Sequence, residues 1–277
     1  MREGASGTEP EKRSEKAGRQ DREPYTEFAA IYDAVMRDVA YDMWADYVEE
    51  ICSRHRLRPA TILDVACGTG GSSIPFARRG YRVAGVDNSR AMLDVARAKA
   101  VSHGLDIEFA LQDMRDLHPE ALTTGPEFDL VICLYDSINY LTRPHELADA
   151  LRGFLRAVRP GGLFIFDVNS ATRLIQMTET SIFMEGPGWA FIEQNDYDPA
   201  TRIWEIRVTG FVRTRGNLYR RFREVHRERA YTEREIRDLL AGAGFETLAA
   251  YNAFGLEPAG RETARIYFVA RRPAVER

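Results

Sequence analysis

The 277-residue chain has few cysteines and no long apolar run. Its three cysteines, Cys52, Cys67 and Cys133, are an odd number at wide spacings without a C-x-x-C pair. That pattern argues against a disulfide framework and against a zinc site. No apolar stretch reaches the ~18 residues of a membrane-spanning helix, and the first residues lack the apolar core of a signal peptide. We therefore expect a cytoplasmic protein with no membrane partner and no bound metal.

An excess of positive charge is also missing. The formal net charge is −4, so the chain is not suited to neutralising many phosphates, and we expect no nucleic-acid partner. Residues 1–23 mix both charge signs with Gly, Ser and Pro and contain almost no large apolar side chain, which predicts a disordered tail. The hydrophobic content of 44% is enough for one sizeable core.

Short apolar runs alternate with amphipathic helical segments through most of the chain. Seven runs have the composition of strands: residues 61–66, 81–86, 107–112, 128–135, 162–168, 246–253 and 264–271. Near-continuous apolar strands separated by helices are typical of a parallel sheet covered on both faces. The pattern predicts a doubly wound α/β fold with a mostly parallel seven-stranded sheet and a ligand crevice at the carboxyl ends of its strands.

Changes in this pattern suggest how the chain is organised. Between the fifth strand and the last helix, three runs separated by Asp198-Pro199 and Gly216-Asn217 have the character of antiparallel strands. We expect five segments: a tail over 1–23, a helical cap over 24–58, an α/β core over 59–178, an antiparallel β insertion over 179–231, and a closing helix and strands over 232–277.

A glycine loop, ACGTGGSS, follows the first strand. Gly68 and Gly70 occupy the first two positions of a dinucleotide-binding loop, but Ser73 occupies the third. No G-K-[ST] follows, which disfavours ATP. Asp64 stands just before the loop, where a carboxylate would repel a pyrophosphate and attract a cation. These features favour a ligand without phosphate.

The glycine loop is part of the first of five sequence motifs that follow one another along the chain. LDVACGTGG (63–71) resembles the first motif of the class I S-adenosylmethionine-dependent methyltransferases, VAGVDNSRAML (83–93) the second and LQDMRDL (111–117) the third. FDLVICLYDSINYL (128–141) resembles the fourth strand with its loop, and VRPGGLFIFDV (158–168) the turn into the fifth. The resemblance implies the Rossmann-like methyltransferase fold, S-adenosylmethionine (SAM) as cofactor, S-adenosylhomocysteine (SAH) as product, and a small-molecule acceptor.

The resemblance also implies which residues hold the cofactor. Asp64 would attract the amino group of SAM, Asp87 would accept from both ribose hydroxyls, and Asp113 would contact the adenine. The other residues implied to contact the cofactor are Ala66, Gly68, Gly70, Asn88, Met92, Met114 and Leu134. Each acid has a structural alternative, because Asp64 and Asp87 could cap the following helices and Asp113 could be a surface turn residue. Met92 could equally belong to the core.

The N-terminal segment YTEFAAIYDAVMRDVAYDMW resembles a subgroup that combines small uncharacterised bacterial methyltransferases with sugar-amine N-methyltransferases. In that subgroup, N-terminal aromatic residues fold over the cofactor, and the matching positions are Tyr25, Tyr32 and Trp44. An aromatic face near a sulfonium is chemically reasonable. Packing between helices is the alternative role for all three.

The insertion strand LYRRFREVHRERAY carries the strongest candidates for acceptor chemistry. Because side chains alternate along a strand, Phe222, Glu224 and His226 share one face. Arginines 221, 223, 227 and 229 share the other face. The arginines could hold an acidic acceptor group such as a phosphate, or they could form ordinary ion pairs with Glu205 and Glu193. As candidate general bases we take His226 and Tyr140.

The acceptor itself is left open by the sequence. Tyr135-Asp136-Ser137-Ile138-Asn139 replaces the Asn/Asp-Pro-Pro-Tyr motif of nucleic-acid amino-methyltransferases, which weakens that substrate class. A small amine or sugar amine is our first expectation. The alternatives are O-methylation of a small metabolite, methylation of RNA or protein, a nicotinamide-dependent oxidoreductase, and a fold that binds its ligand without catalysis.

Overall fold

A computed structural model describes residues 24–274, so the tail expected over 1–23 lies outside the described residues. The helices are α1 (Ala29–Val35), α2 (Tyr41–Arg54), α3 (Ser73–Arg78), α4 (Arg90–Ser102), α5 (Pro144–Ala157), α6 (Ala171–Met177) and α7 (Glu233–Ala243). The strands are β1 (Thr61–Val65), β2 (Arg82–Asp87), β3 (Glu108–Leu111), β4 (Phe128–Cys133), β5 (Val158–Asn169), β6 (Ser181–Gly186), β7 (Trp189–Asp198), β8 (Ile203–Arg215), β9 (Leu218–Arg229), β10 (Glu246–Asn252) and β11 (Arg265–Arg271).

The core is a seven-stranded sheet in the order β10-β11-β5-β4-β1-β2-β3. Strands β1 to β5 pair in parallel, and only β10 and β11 run antiparallel to their neighbours. The predicted fold class is therefore confirmed. Strand β1 lies between β2 and β4, so the loops that follow these strands meet at one edge of the sheet.

Apolar side chains alternate between the two faces of the sheet, and helices cover both. Ile62 shares a cluster with Val48 and Ile51 of α2, whereas Leu63 shares a cluster on the other face with Phe154 of α5. All of these side chains are fully buried. Burying a side chain of this size contributes about 1.5–3 kcal/mol, so these layers fix the strand ends that carry the site.

The last helix, α7, is capped at both ends. The Thr232 hydroxyl accepts a hydrogen bond from the Glu235 N–H, and the Glu235 carboxylate accepts one from the Thr232 N–H, so the two form a capping box. Gly244 ends the helix with φ +100°, a conformation that glycine adopts without strain.

The insertion is a separate antiparallel sheet in the order β6-β7-β8-β9. It has four strands rather than the three expected, and α6 before it was also missed. Strand β6 has no buried residue and lies at the edge of the sheet, so its alternation gives a weak signal. Along β9 the even-numbered residues from 222 to 228 are buried, while Arg221, Arg223 and Arg227 are exposed, as the alternation predicts.

Candidate active site

A cavity of about 1380 Å³ lies between the carboxyl ends of the core strands, the inner face of the insertion sheet and the N-terminal segment. Twelve of the fifteen predicted site residues line it: Tyr25, Tyr32, Ala66, Gly68, Asp87, Asn88, Met92, Asp113, Met114, Leu134, Tyr140 and His226. Three others, Trp44, Asp64 and Gly70, are not among the lining residues. The fold thus brings residues from across the sequence to a single pocket.

The glycine loop turns sharply beneath the cavity. Ala66 and Gly68 have φ values of +56° and +55°, and both line the pocket. A Cβ on Gly68 would lie 3.2 Å from the Met92 methyl carbon, so glycine keeps the backbone open to a ligand at this turn. Gly70, with φ +77°, has a different role, because a Cβ there would lie 3.3 Å from Phe109. It allows helix α4 and β3 to pack closely against the loop.

Asp64 is buried behind the loop instead of facing the cavity. Its carboxylate accepts hydrogen bonds from the Ser72 hydroxyl at 2.7 Å and the Ser73 hydroxyl at 2.6 Å. Burial raises the pKa of Asp64 to about 6, although the two serine hydroxyls oppose that shift. Asp64 is not among the cavity-lining residues, whereas Ser72, which donates to it, is.

Asp87 ends β2 with its carboxylate at the cavity wall. It accepts from the Gly68 N–H at 2.9 Å and from the Ser89 N–H at 2.8 Å, one on each oxygen. A carboxylate has about four acceptor positions, so these bonds leave acceptor capacity for a ligand hydroxyl. The cap of α4 is Ser89, whose hydroxyl accepts from the Met92 N–H. Burial raises the pKa of Asp87, against the backbone hydrogen bonds that lower it.

Asp113 lines the cavity as the N-cap of the short 3₁₀ helix Met114–Asp116. Its carboxylate accepts from the Arg115 backbone N–H and from the Arg115 guanidinium. Partial burial raises the pKa of Asp113, but the hydrogen bonds from Arg115 outweigh it and leave the pKa below its usual value. Asp113 is thus a fixed carboxylate beside Met114, and its contact with an adenine stays a prediction.

Trp44 packs under the cavity wall, not over a ligand. Its ring centroid lies 5.1 Å from that of Tyr135 and 5.2 Å from that of Phe254, and the Arg265 guanidinium carbon is 5.3 Å from it. Trp44 is buried by this packing, so the structure supports the alternative role. Tyr41, one turn earlier on α2, lines the cavity and was missed from the sequence.

Residues 24–36 form a strap across the cavity. The Glu224 carboxylate of β9 accepts hydrogen bonds from the backbone N–H groups of Tyr25 at 2.8 Å, Glu27 at 2.7 Å and Phe28 at 3.0 Å. The Ser89 hydroxyl donates to the Tyr25 carbonyl at 2.7 Å. Glu224 therefore latches the strap to the insertion sheet, and it is not among the residues that line the cavity.

The far end of the strap is held to the glycine loop. Asp33 of α1 accepts from the Thr69 hydroxyl at 2.6 Å, and its other oxygen lies 2.6 Å from the Lys99 ammonium. These contacts connect the strap to α4 and to the turn beneath the cavity. The strap is thus tied through Asp33 to the glycine loop beneath the cavity.

Three aromatic side chains form a hydrogen-bonded chain inside the pocket. The Tyr25 and Tyr140 hydroxyls are 2.6 Å apart, and the Tyr140 hydroxyl lies 2.9 Å from His226 Nδ1. On the other side of the imidazole, Nε2 lies 3.3 Å from a Glu224 carboxylate oxygen. Burial raises the pKa of Tyr25 and Tyr140 well above the usual range, so both phenols are neutral. Both predicted general bases, Tyr140 and His226, are adjacent here.

The loop after β4 is strained and tightly held. Tyr135 and Asp136 have φ values of +61° and +53°, which are uncommon for side-chain-bearing residues. Their backbone N–H groups both donate to the Asp167 carboxylate, at 2.7 and 3.0 Å. Arg265 pairs with Asp167 and, at 2.8 Å, with Asp136. An acid inside the apolar run FIFDV was the sequence signal for Asp167, and it was overlooked.

The arginines of β9 mostly form ion pairs. Arg227 pairs with Glu205 at 2.8 Å and Arg229 with Glu235 at 3.6 Å, as the structural alternative predicts. The expected partner Glu193 does not belong to this set. It lies on the inner face of the sheet, lines the cavity and accepts from the Asn195 amide at 2.8 Å.

Neither a membrane-spanning helix nor a metal-binding cluster is found in residues 24–274. No helix in this part of the chain is both long enough and apolar enough to span a bilayer. The same residues contain no group of three or more His, Cys, Asp and Glu side chains arranged to hold a metal ion.

Comparison with known proteins agrees with this geometry. The family model described as "Methyltransferase domain" matches residues 62–162. YqeM of Bacillus subtilis (strain 168), a methyltransferase by its name, is 30% identical over 250 residues, which cover 90% of this chain and 97% of that protein.

Solved structures extend the match to the whole described fold. A SAM-dependent methyltransferase from Clostridium acetobutylicum ATCC 824 aligns with a TM-score of 0.77 at 30% identity, over 90% of this chain and 98% of the other. SAM-bound CalS10, an amino pentose methyltransferase from Micromonospora echinaspora, aligns with a TM-score of 0.69 at 25% identity, over 87% and 96%. The chain belongs to the class I SAM-dependent methyltransferases, and it is an enzyme that uses SAM.

Proposed function

We propose that this enzyme methylates the nitrogen of a small amine, such as a sugar amine. One observation carries the proposal: the Tyr25–Tyr140–His226 chain opens into the same cavity as the Asp87 carboxylate and the glycine loop. A cofactor site and a proton-accepting site therefore share one enclosed space. The similarity to an amino pentose methyltransferase supports an amine as the acceptor.

When bound, SAM supplies an activated methyl carbon, and transfer forms a carbon–nitrogen bond as the carbon–sulfur bond breaks, leaving SAH. The chain's own residues position the acceptor and take up a proton. The acceptor nitrogen gives its proton to the Tyr140 oxygen while the Tyr140 hydroxyl proton moves to His226 Nδ1, 2.9 Å away. Glu224, 3.3 Å from Nε2, stabilises the imidazolium that results.

Methyl transfer with ¹³C-methyl SAM tests the proposal. The acceptors are a panel of primary amines and amino sugars together with any ligand that mass spectrometry finds bound after purification. The carbon shift of the product distinguishes N-methyl from O-methyl groups. Label on oxygen alone, with amines left unmodified, would contradict the proposal.

Variants test the proton-accepting pair. We expect Tyr140→Phe and His226→Gln each to lower kcat by about tenfold or more, with the Kd for SAM nearly unchanged. Because the two side chains act as one unit, the double variant should be no slower than the worse single variant. His103→Gln, an exposed histidine at the end of α4, is the matched control.

The proposal also covers the compartment in which the enzyme works and the class of acceptor that it does not use. The three cysteines are free and buried, which suits a reducing cytoplasm. We further propose that the acceptor is not a nucleic acid, because the formal net charge is −4 and two of the β9 arginines, Arg227 and Arg229, are paired with carboxylates. A shift of RNA in a gel at physiological salt would argue against this part.

A further inference from the structure

The part of the cavity under the insertion sheet is lined by buried polar groups that the proposed transfer step does not use. The strand register places Trp204 of β8 directly opposite Glu228 of β9, on the same face as His226. Glu193 of β7 lies on that face too. It is opposite Val208 of β8, and Val208 is opposite Glu224 of β9. Asn169, at the end of β5, completes this acceptor chamber from the core side.

Several of these groups have a buried polar atom without a protein partner. Among residues 24–274, no hydrogen-bond partner is found for Trp204 Nε1, Glu228 Oε2 or Asn169 Oδ1. All three residues line the cavity, and Glu228 is 2% exposed. Folded proteins rarely leave such atoms unsatisfied, and because all three residues line the same cavity we take them as candidate contacts for a polar ligand. The set contains one donor, the indole N–H, and two acceptors.

The chamber is rich in carboxyl groups. Glu193 and Glu228 line it, and beside them Arg265 is paired with two further acids, Asp136 and Asp167. Four further arginines line the cavity. Arg115 is paired with Asp113 and Arg227 with Glu205, whereas Arg90 and Arg173 are exposed. Burial raises the pKa of Glu228 well above its usual value and also raises the pKa of Glu193, so both groups favour the neutral acid unless a cation lies beside them.

A phosphorylated acceptor does not fit this arrangement. A phosphate between Glu193 and Glu228 would oppose the ionisation of both carboxyl groups at low dielectric, whereas an ammonium group would stabilise their charged forms. A ligand hydroxyl can accept from Trp204 Nε1 and donate to Asn169 Oδ1 at the same time. The chamber thus matches a cation with a neighbouring hydroxyl.

We propose, on the basis of the proposed N-methylation, that the acceptor is a hydroxylated amine that carries a positive charge and no phosphate, such as a free amino sugar or an aminocyclitol. Glu228 and Glu193 bind its ammonium group, and Trp204 and Asn169 bind a hydroxyl. The proton that the nitrogen loses before attack passes to the Tyr140–His226 pair.

Calorimetry on the SAH-loaded enzyme tests this directly, because binding is then read without turnover. The cationic probes are D-glucosamine and 2-deoxystreptamine, and the matched probes are D-glucosamine 6-phosphate and D-glucose. We expect at least one cationic probe to bind about tenfold more tightly than either matched probe. Glu228→Gln should reduce that preference about tenfold, and Glu193→Gln should reduce it less.

Two controls separate recognition from misfolding. Glu185→Gln removes an exposed carboxylate from the same sheet and should leave the preference unchanged. An unaltered Kd for SAH in each variant shows that the fold is intact. Should Glu228→Gln not fold, the Glu193→Gln variant and the probe preference of the unmodified enzyme still decide the question.

The outcomes also separate this inference from the proposed function. Equal or tighter binding of the phosphate ester, or no measurable binding of either cationic probe at millimolar concentration, overturns the inference even if some amine is N-methylated. Conversely, a cation preference that depends on Glu228, with methyl transfer only to oxygen, supports the inference and refutes N-methylation.

Discussion

Replacing Glu224 with glutamine should open the strap. The Glu224 side chain is 1% exposed and accepts three backbone N–H groups, from Tyr25, Glu27 and Phe28. Glutamine is nearly isosteric, so the variant changes charge and hydrogen bonding with little change in volume. The carbonyl oxygen of the new side-chain amide could keep the two N–H groups that share Oε1, but its NH₂ group would face the N–H of Tyr25.

The size of the effect follows from these contacts. A hydrogen bond to a charged acceptor contributes about 1.5–3 kcal/mol, against about 0.5–1.5 kcal/mol for a neutral one. Weakening two bonds and losing the third therefore destabilises the closed strap by about 3 kcal/mol. At ~1.4 kcal/mol for each factor of ten, the open population rises roughly a hundredfold.

Hydrogen exchange measures this change where it occurs. The amides of Tyr25, Glu27 and Phe28 should exchange roughly a hundredfold faster, while those of β1 are unaffected. Because Tyr25 and Tyr32 line the cavity, the Kd for SAM should rise as well. Glu185→Gln, an exposed glutamate on β6, is the control. Unchanged exchange at these three amides would refute the latching role of Glu224.

Three further predictions concern the glycine loop and its acids. Asp87→Asn should weaken SAM binding about tenfold in calorimetry, and affinity for the unmodified enzyme should fall as the pH drops through the raised pKa of Asp87. Burial raises the pKa of Asp64 to about 6, so the folded state loses stability as the pH rises from about 4 through 6. The loss in unfolding free energy is about 3 kcal/mol, and Asp64→Asn should remove it. Denaturant unfolding at about pH 4 and about pH 6 measures the difference. A Cβ on Gly71 would lie 2.6 Å from the Tyr41 ring, so Gly71→Ala should cost about 1–3 kcal/mol and weaken SAM binding. Gly242→Ala, in open space on α7, should instead stabilise the chain by about 0.5–1 kcal/mol in the same unfolding assay.

Much of the core could be predicted because its signals are local. Each parallel strand is a short apolar run, and turn residues such as Gly216-Asn217 mark the hairpin between β8 and β9. Of the acids predicted to contact the cofactor, Asp87 ends β2 and Asp113 follows the end of β3 by two residues, so knowing the strand order also places both beside the cavity. The alternation along β9 likewise separates His226 from the arginines.

What the sequence did not reveal depends on contacts between distant segments. Asp64 was expected to face a ligand, but two serine hydroxyls from the start of the next helix surround it. Trp44 is turned away from the cavity by its packing on Tyr135. The latching role of Glu224 requires backbone groups nearly two hundred residues earlier in the chain. No periodicity in a single sequence encodes such pairings.

The arrangement along β9 makes the site sensitive to the length of one hairpin. Glu224, His226 and Glu228 occupy alternate positions on a single strand. Glu224 holds the strap, and the other two line the cavity as the proposed proton acceptor and the proposed ligand of the acceptor amine. Deleting one residue from the turn before β9 would shift the pairing by one and rotate all three outward together, bringing Arg223 and Arg227 inward. Such an enzyme can therefore tolerate changes of hairpin length in steps of two more readily than in steps of one.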